Sequence, residues 1–161
     1  MSHQSVRLLL EDVAKSLADN ICFSFGRESE FNNLKTKESR YIWLLPMTAN
    51  FPISDTTRTK TWNIALLFMD VDRFDASNKE TNIIHDELDV VVDKFIHRLD
   101  DWSQTQNDTV GAITLSGVRQ SPFFKDQAGV VSGWRVDFTM QVPDDFTYCV
   151  DDNIRIYAGT Y

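Results

Sequence analysis

The segment Asp70-Val71-Asp72-Arg73-Phe74-Asp75 gathers three carboxylates at a spacing that suits a hard cation. A calcium loop of the helix-loop-helix kind needs a further oxygen ligand at its fifth position, glycine at the sixth and glutamate at the twelfth. Those positions hold Phe74, Asp75 and Thr81, so the motif fails. A strand-to-helix turn with acids held near a helix N-terminus by its dipole accounts for the same residues. A second set, His85, Asp89, Asp93 and His97, repeats every four residues. Helical ligands at that spacing do bind metals, but four of them drift around the axis. At most two neighbours can share an ion, and no other His or Cys is placed to complete the shell. A solvated acidic stripe explains them better.

Other catalytic signatures are missing. There is no nucleophile elbow, no P-loop, no G-x-G-x-x-G and no Cys/His dyad in a recognisable setting. Carboxylates are plentiful, yet nothing singles out a pair for acid/base work. No catalytic, metal or cofactor-binding residue is therefore assigned, and the chain reads as a non-enzyme with no cofactor. Cys22 and Cys149 show no metal spacing and read as reduced thiols.

The 161 residues suffice for one domain with a real core, and 42% hydrophobic with 25% charged residues is an ordinary globular composition. No apolar run of about 18 residues offers a membrane span. The N-terminal stretch lacks a signal peptide's apolar centre, which fits synthesis in the cytoplasm. The net charge of −8 is uneven: residues 1–80 hold ten Lys/Arg and eleven Asp/Glu, whereas residues 81–161 hold six and thirteen. A nucleic-acid reader needs a basic footprint to displace counterions, so that class is disfavoured. An acidic protein can still line a channel through which DNA slides by repelling it.

The elements that position these residues centre on a helix from Ser77 to Trp102. It opens with the capping box Ser77-Asn78-Lys79-Glu80. Ile84, Leu88, Val91, Val92, Phe95, Leu99 and Trp102 then define one apolar face, roughly 38 Å long at 1.5 Å per residue. His85, Asp86, Asp89, Asp93, His97 and Asp100 are expected opposite it, with Asp86, Asp89, Asp93 and Asp100 as the acidic stripe. A first helix is expected over 5–19, and strands over 21–25, 41–46, 61–71, 110–118 and 133–143. Residues 27–40, 47–60, 103–108 and 119–129 read as loops or connections. The 61–71 strand is apolar on both faces, so it should be central or face a neighbouring subunit. The last strand alternates cleanly: Trp134, Val136, Phe138, Met140 and Val142 point one way, Arg135, Asp137, Thr139 and Gln141 the other. Residues 144–161 form a tail too apolar to dangle.

This order of pieces resembles the neck and tail-terminator-like (tail completion) ring proteins of tailed bacteriophages. The resemblance rests on Tyr41-Ile42-Trp43-Leu44-Leu45-Pro46, on Trp62 to Asp70, on the helix ending Phe95-Ile96-His97-Arg98-Leu99, and on Gly133-Trp134-Arg135 through Pro143. Variants of this kind resemble those of crAss-like phages. The likeness implies an α/β (α+β) fold with a mostly antiparallel sheet packed against an N-terminal helix and the long helix, in a single 1–143 domain; the 144–161 tail departs from the family pattern and reads as a C-terminal arm embracing the next subunit or ring. It implies a structural virion protein in the neck or tail, assembled in the host cytoplasm as a ring of six or twelve subunits. Adjacent rings would be its partners, and genomic DNA would pass through its channel without specific binding. Trp62, Ile64, Trp134, Phe146, Tyr148, Ile154, Ile156 and Tyr157 are the expected subunit-interface residues, and the acidic stripe would face the channel. A non-catalytic α/β binding or regulatory module is the competing reading, and an enzyme with an unrecognised site is a third.

Overall fold

The computed structural model describes residues 2–17, 20–27, 30, 40–51, 59–71, 78–110, 113–125, 131–143, 146–150 and 155–159. The fold is α+β. Helix α1 (His3–Lys15) is followed by β1 (Ile21–Phe25), β2 (Arg40–Leu44), β3 (Thr48–Asn50) and β4 (Thr59–Val71). Helix α2 (Asn78–Val110), β5 (Thr114–Lys125), β6 (Val131–Pro143), β7 (Phe146–Val150) and β8 (Arg155–Gly159) complete the order. The main sheet runs β1-β2-β4-β6-β5, with β3 added to the end of β4. Every pairing in it is antiparallel except β1 with β2.

Strand β4 is central, as its double-sided apolar pattern requires. It pairs with β6 in unbroken register from Thr59↔Pro143 to Val71↔Val131. Trp62, Ile64, Leu66 and Phe68 point to one face and meet Val136, Phe138, Met140 and Val142 there. Both helices cover that face. Val6, Leu9, Leu10 and Val13 come from α1, and Val92, Phe95, Leu99 and Trp102 from α2. Phe68 and Phe95 sit edge to face at 5.4 Å between ring centroids, at the sheet–helix seam. On the other face, Leu67 and Met69 join Tyr41 and Trp43 in a smaller cluster. The Trp43 indole N–H donates to the Gly26 carbonyl at 3.0 Å, which fixes the turn after β1 over this cluster.

At Gly133, β6 leaves no room for a side chain against β4. A Cβ added there would lie 1.9 Å from the Phe68 carbonyl oxygen and 2.9 Å from the Met69 Cα, both backbone atoms with no freedom to yield. Arg40 ties three elements: its Nε donates to Asp70 Oδ2 of β4 at 3.1 Å and its Nη2 to Glu87 of α2.

Several boundaries differ from the sequence reading. Helix α1 starts at His3 because Ser2 caps it, its hydroxyl accepting from the Ser5 N–H at 3.1 Å, and it ends at Lys15 rather than at 19. Helix α2 runs through the expected 103–108 loop to Val110. Polar residues that suggested a loop instead bond back to their own helix: Ser103 Oγ to the Asp100 carbonyl at 2.8 Å, Thr105 Oγ1 to the Asp101 carbonyl at 2.9 Å. Strand β5 begins at Thr114 and continues through the expected connection to Lys125. A register shift between Ser116 and Arg119 carries it past Gly117, at φ +66°. Pro122 is tolerated because β5 is an edge strand, where a missing N–H leaves no ladder bond unmade. The 47–60 connection holds β3 and the start of β4, and the 144–161 tail contains the β7–β8 hairpin. The capping residue Ser77 and the acids Asp72 and Asp75 lie outside the described residues.

Gly133→Ala should cost about 3 kcal/mol, the upper range of core overpacking, because backbone must move to admit the methyl. Gly117→Ala, whose added Cβ meets nothing within 4 Å, should cost only about 1 kcal/mol, from its left-handed φ. Urea unfolding of the two variants checks the order, and equal losses would contradict the close approach at Gly133.

Candidate functional site

Because both helices lie on one face of the sheet, the odd-numbered positions of β4 and β6 face away from them. Thr61, Asn63 and Ala65 project there from β4, and Arg135, Asp137, Thr139 and Gln141 from β6. The register of β5 adds Ser116 and Arg119 to the same face, opposite Thr139 and Asp137. Of these, Asn63, Ala65, Arg119, Arg135, Asp137 and Thr139 line a groove of about 530 Å³ on the open face, which Pro46, Thr48 and Gly117 also border.

The polar groups are laced together across strands. Asn63 Nδ2 donates to Thr48 Oγ1 at 3.1 Å, Gln141 Nε2 donates to Thr59 Oγ1 at 3.2 Å, and the Ser116 and Thr139 hydroxyls lie 2.7 Å apart. Arg135 forks onto Asp137, Nε to Oδ2 at 2.9 Å and Nη2 to Oδ1 at 2.8 Å. Arg119 is exposed and has no ion-pair partner among the described residues. The groove thus carries two guanidinium groups against one carboxylate, and Asp137 is already engaged. It holds no nucleophile beside a base. Arg135 is paired with Asp137, so Arg119 carries the positive charge left over among the groove's lining residues.

The second surface is the outer side of α2. Asp86, Asp93 and Asp100 are exposed and fall on one line seven residues apart. Asp89 leaves that line: it is half-buried and accepts from Gln120 Nε2 of β5 at 2.6 Å. His85 is a correction to the expected polar face. It is 6% exposed, its ring stacked on Phe124 at 4.4 Å and set edge-on to Trp134 at 5.4 Å. The turn of the helix that points His85 inward also buries Thr81 and Leu88. His97 remains exposed, its Nδ1 2.7 Å from the Asp93 carbonyl. The four residues considered as metal ligands therefore point in different directions, and among the described residues no three His, Cys, Asp or Glu side chains gather around a point. Beside the acidic line, Ile83 and Val90 are 48% and 52% exposed. Val90 and Asp93 border a depression of about 540 Å³ that reaches Leu17, just past the end of α1.

The expected interface residues are dispersed. Trp62 and Ile64 are 4% and 2% exposed, packed into this chain's own core, so they have no surface to offer a neighbour. Their pattern marked burial, and the chain's own helices supply it. Trp134 is half-buried and its indole N–H donates to the His85 carbonyl at 2.9 Å, joining β6 to α2. Phe146 and Tyr148 lie in β7, and Ile156 and Tyr157 in β8, with Tyr148 opposite Tyr157. Ile154 lies outside the described residues. Cys22 is a free, exposed thiol on β1.

The two arginines of the groove were visible in the sequence only in part. The alternation of β6 places Arg135 outward, whereas Arg119 falls where Pro122 and a glycine suggested a connection. Among the described residues no helix is long and apolar enough to cross a membrane. No protein-family model matches the chain, and no curated protein is similar to it.

Trp134→Phe keeps an aromatic ring over α2 but removes the bond to the His85 carbonyl. It should cost about 1 kcal/mol, the worth of one hydrogen bond, measured as a lower urea midpoint at unchanged slope. A neutral result would mean the indole bond contributes nothing to holding β6 on the helix.

Proposed function

We propose that this protein is a structural ring subunit of the neck or tail of a tailed bacteriophage, joining or closing the tail and letting DNA through a central channel. The observation that carries the reading is the one-sided packing of the sheet. Both helices cover one face, while the opposite face of β4, β6 and β5 presents a built groove to solvent. A two-layer subunit with two unlike outer faces is suited to head-to-tail repetition, which closes into rings. The net charge of −8 suits a protein that DNA must pass without adhering to its phosphates. The part played is mechanical, and its partners are five or eleven further copies and the adjacent rings of the neck or tail.

Negative-stain microscopy with light scattering tests this, on the protein alone and mixed with the products of neighbouring genes. Rings of six or twelve subunits around a hole are expected in at least one mixture. A chain that stays monomeric in every mixture overturns the reading. If that monomer also binds a small anion in the groove, it is a binding module instead.

A further inference from the structure

We propose that one side of α2, comprising Ile83, Asp86, Val90 and Asp93, docks into the open-face groove of the next copy, against Arg119 and Arg135. The contact rests on the ring reading above and specifies which two faces meet.

Charge complementarity selects this occupant. The chain is strongly acidic, yet the lining of its open-face groove carries two arginines and a single carboxylate. The outer side of α2 exposes Asp86, Glu87 and Asp93, with Lys94 beside them, so its carboxylates outnumber its cations around Ile83 and Val90. Spacing agrees. Carboxylates seven residues apart on a helix are separated by about 10.5 Å along its axis. Arg119 stands opposite Asp137, and Arg135 lies two residues further along β6. That is a diagonal pair with backbones about 7–8 Å apart, and splayed arginine stems readily widen it to meet the two acids.

Apolar surface agrees as well. Ile83 and Val90 alternate with the two aspartates along the same side of α2, and each leaves about half its surface in water. The groove offers Pro46, Ala65 and the stems of its arginines as cover. The two surfaces belong to opposite layers of the molecule, so the contact is heterologous: each copy uses its helix face on one neighbour and its sheet face on the other. The carboxylates Asp86 and Asp93 then lie between subunits, and the channel wall draws its charge from elsewhere on the chain.

Charge reversal tests the pairing on the full-length protein. One variant carries Asp86→Lys with Asp93→Lys, the other Arg119→Glu with Arg135→Glu. All four sites lie on the surface or in the open groove, and circular dichroism confirms that each variant is folded. Each variant alone sets like charges face to face, and its self-association should weaken by about 100-fold. An equimolar mixture restores opposite charges at every contact and should form alternating assemblies, read by sedimentation velocity and microscopy. Assembly of either variant alone as well as wild type overturns the docking while leaving the ring. Loss in both variants without rescue on mixing also overturns it, since the faces would matter without meeting each other. If wild type makes no ring but the variants associate only with each other, the contact stands and the ring reading falls. No association of wild type or of the variant mixture, alone or with the products of neighbouring genes, defeats both.

Discussion

The rest of the molecule depends on the pairing of β4 with β6. Their ladder runs from Thr59↔Pro143 to Val71↔Val131 without a bulge, and it fixes which side chains of both strands share a face. A slip of β6 by one residue would send Val136 and Phe138 to the open side and Arg135 and Asp137 into the core. Gly133 allows the two backbones to meet closely opposite Met69, where any side chain would collide with the Phe68 carbonyl. The next residue, Trp134, reaches the carbonyl of His85, so the same short segment sets both the strand spacing and the position of α2.

That register also explains what the sequence showed and what it hid. The alternation from Trp134 to Val142 is legible because one face is apolar and the other polar, and the structure places each set together. The apolar face of α2 is legible for the same reason: Leu88, Val92, Phe95, Leu99 and Trp102 all lie on the sheet. Local chemistry misled where tertiary contacts decide the outcome. Ser103 and Thr105 look like loop residues, yet their hydroxyls close onto helical carbonyls and the helix continues. His85 looks like a partner for acids, yet Phe124 and Trp134 enclose its ring. Phe124 could not be placed in advance, because the strand that carries it crosses a bulge and a proline.

The site was the least legible part. A groove on a sheet face needs residues from several strands, and its members have no common spacing along the chain. Arg119 and Arg135 lie sixteen positions apart in sequence and become neighbours only through the β5–β6 register. The residues that did attract notice, Trp62 and Ile64, are conspicuous because they are apolar, which is also why the chain buries them itself. An apolar strand pattern reports burial without saying whose surface provides it.

In the proposed assembly, the twist of the sheet bears on the angle between neighbouring copies. A sheet twists by about 20–25° from strand to strand, and the glycine bulge in β5 adds to this locally. The open face above β6 and β5 is therefore not parallel to the outer side of α2 on the opposite layer. When one such face is laid on the other, each added copy is rotated relative to the last. Repetition with rotation and no rise returns to its start, and a step of 60° or 30° does so after six or twelve copies. In the proposed assembly, the same twist that lets α2 seat its apolar face on the sheet sets the angle between neighbours. On that reading, changes deep in the β4–β6 seam would alter assembly without touching the contact itself.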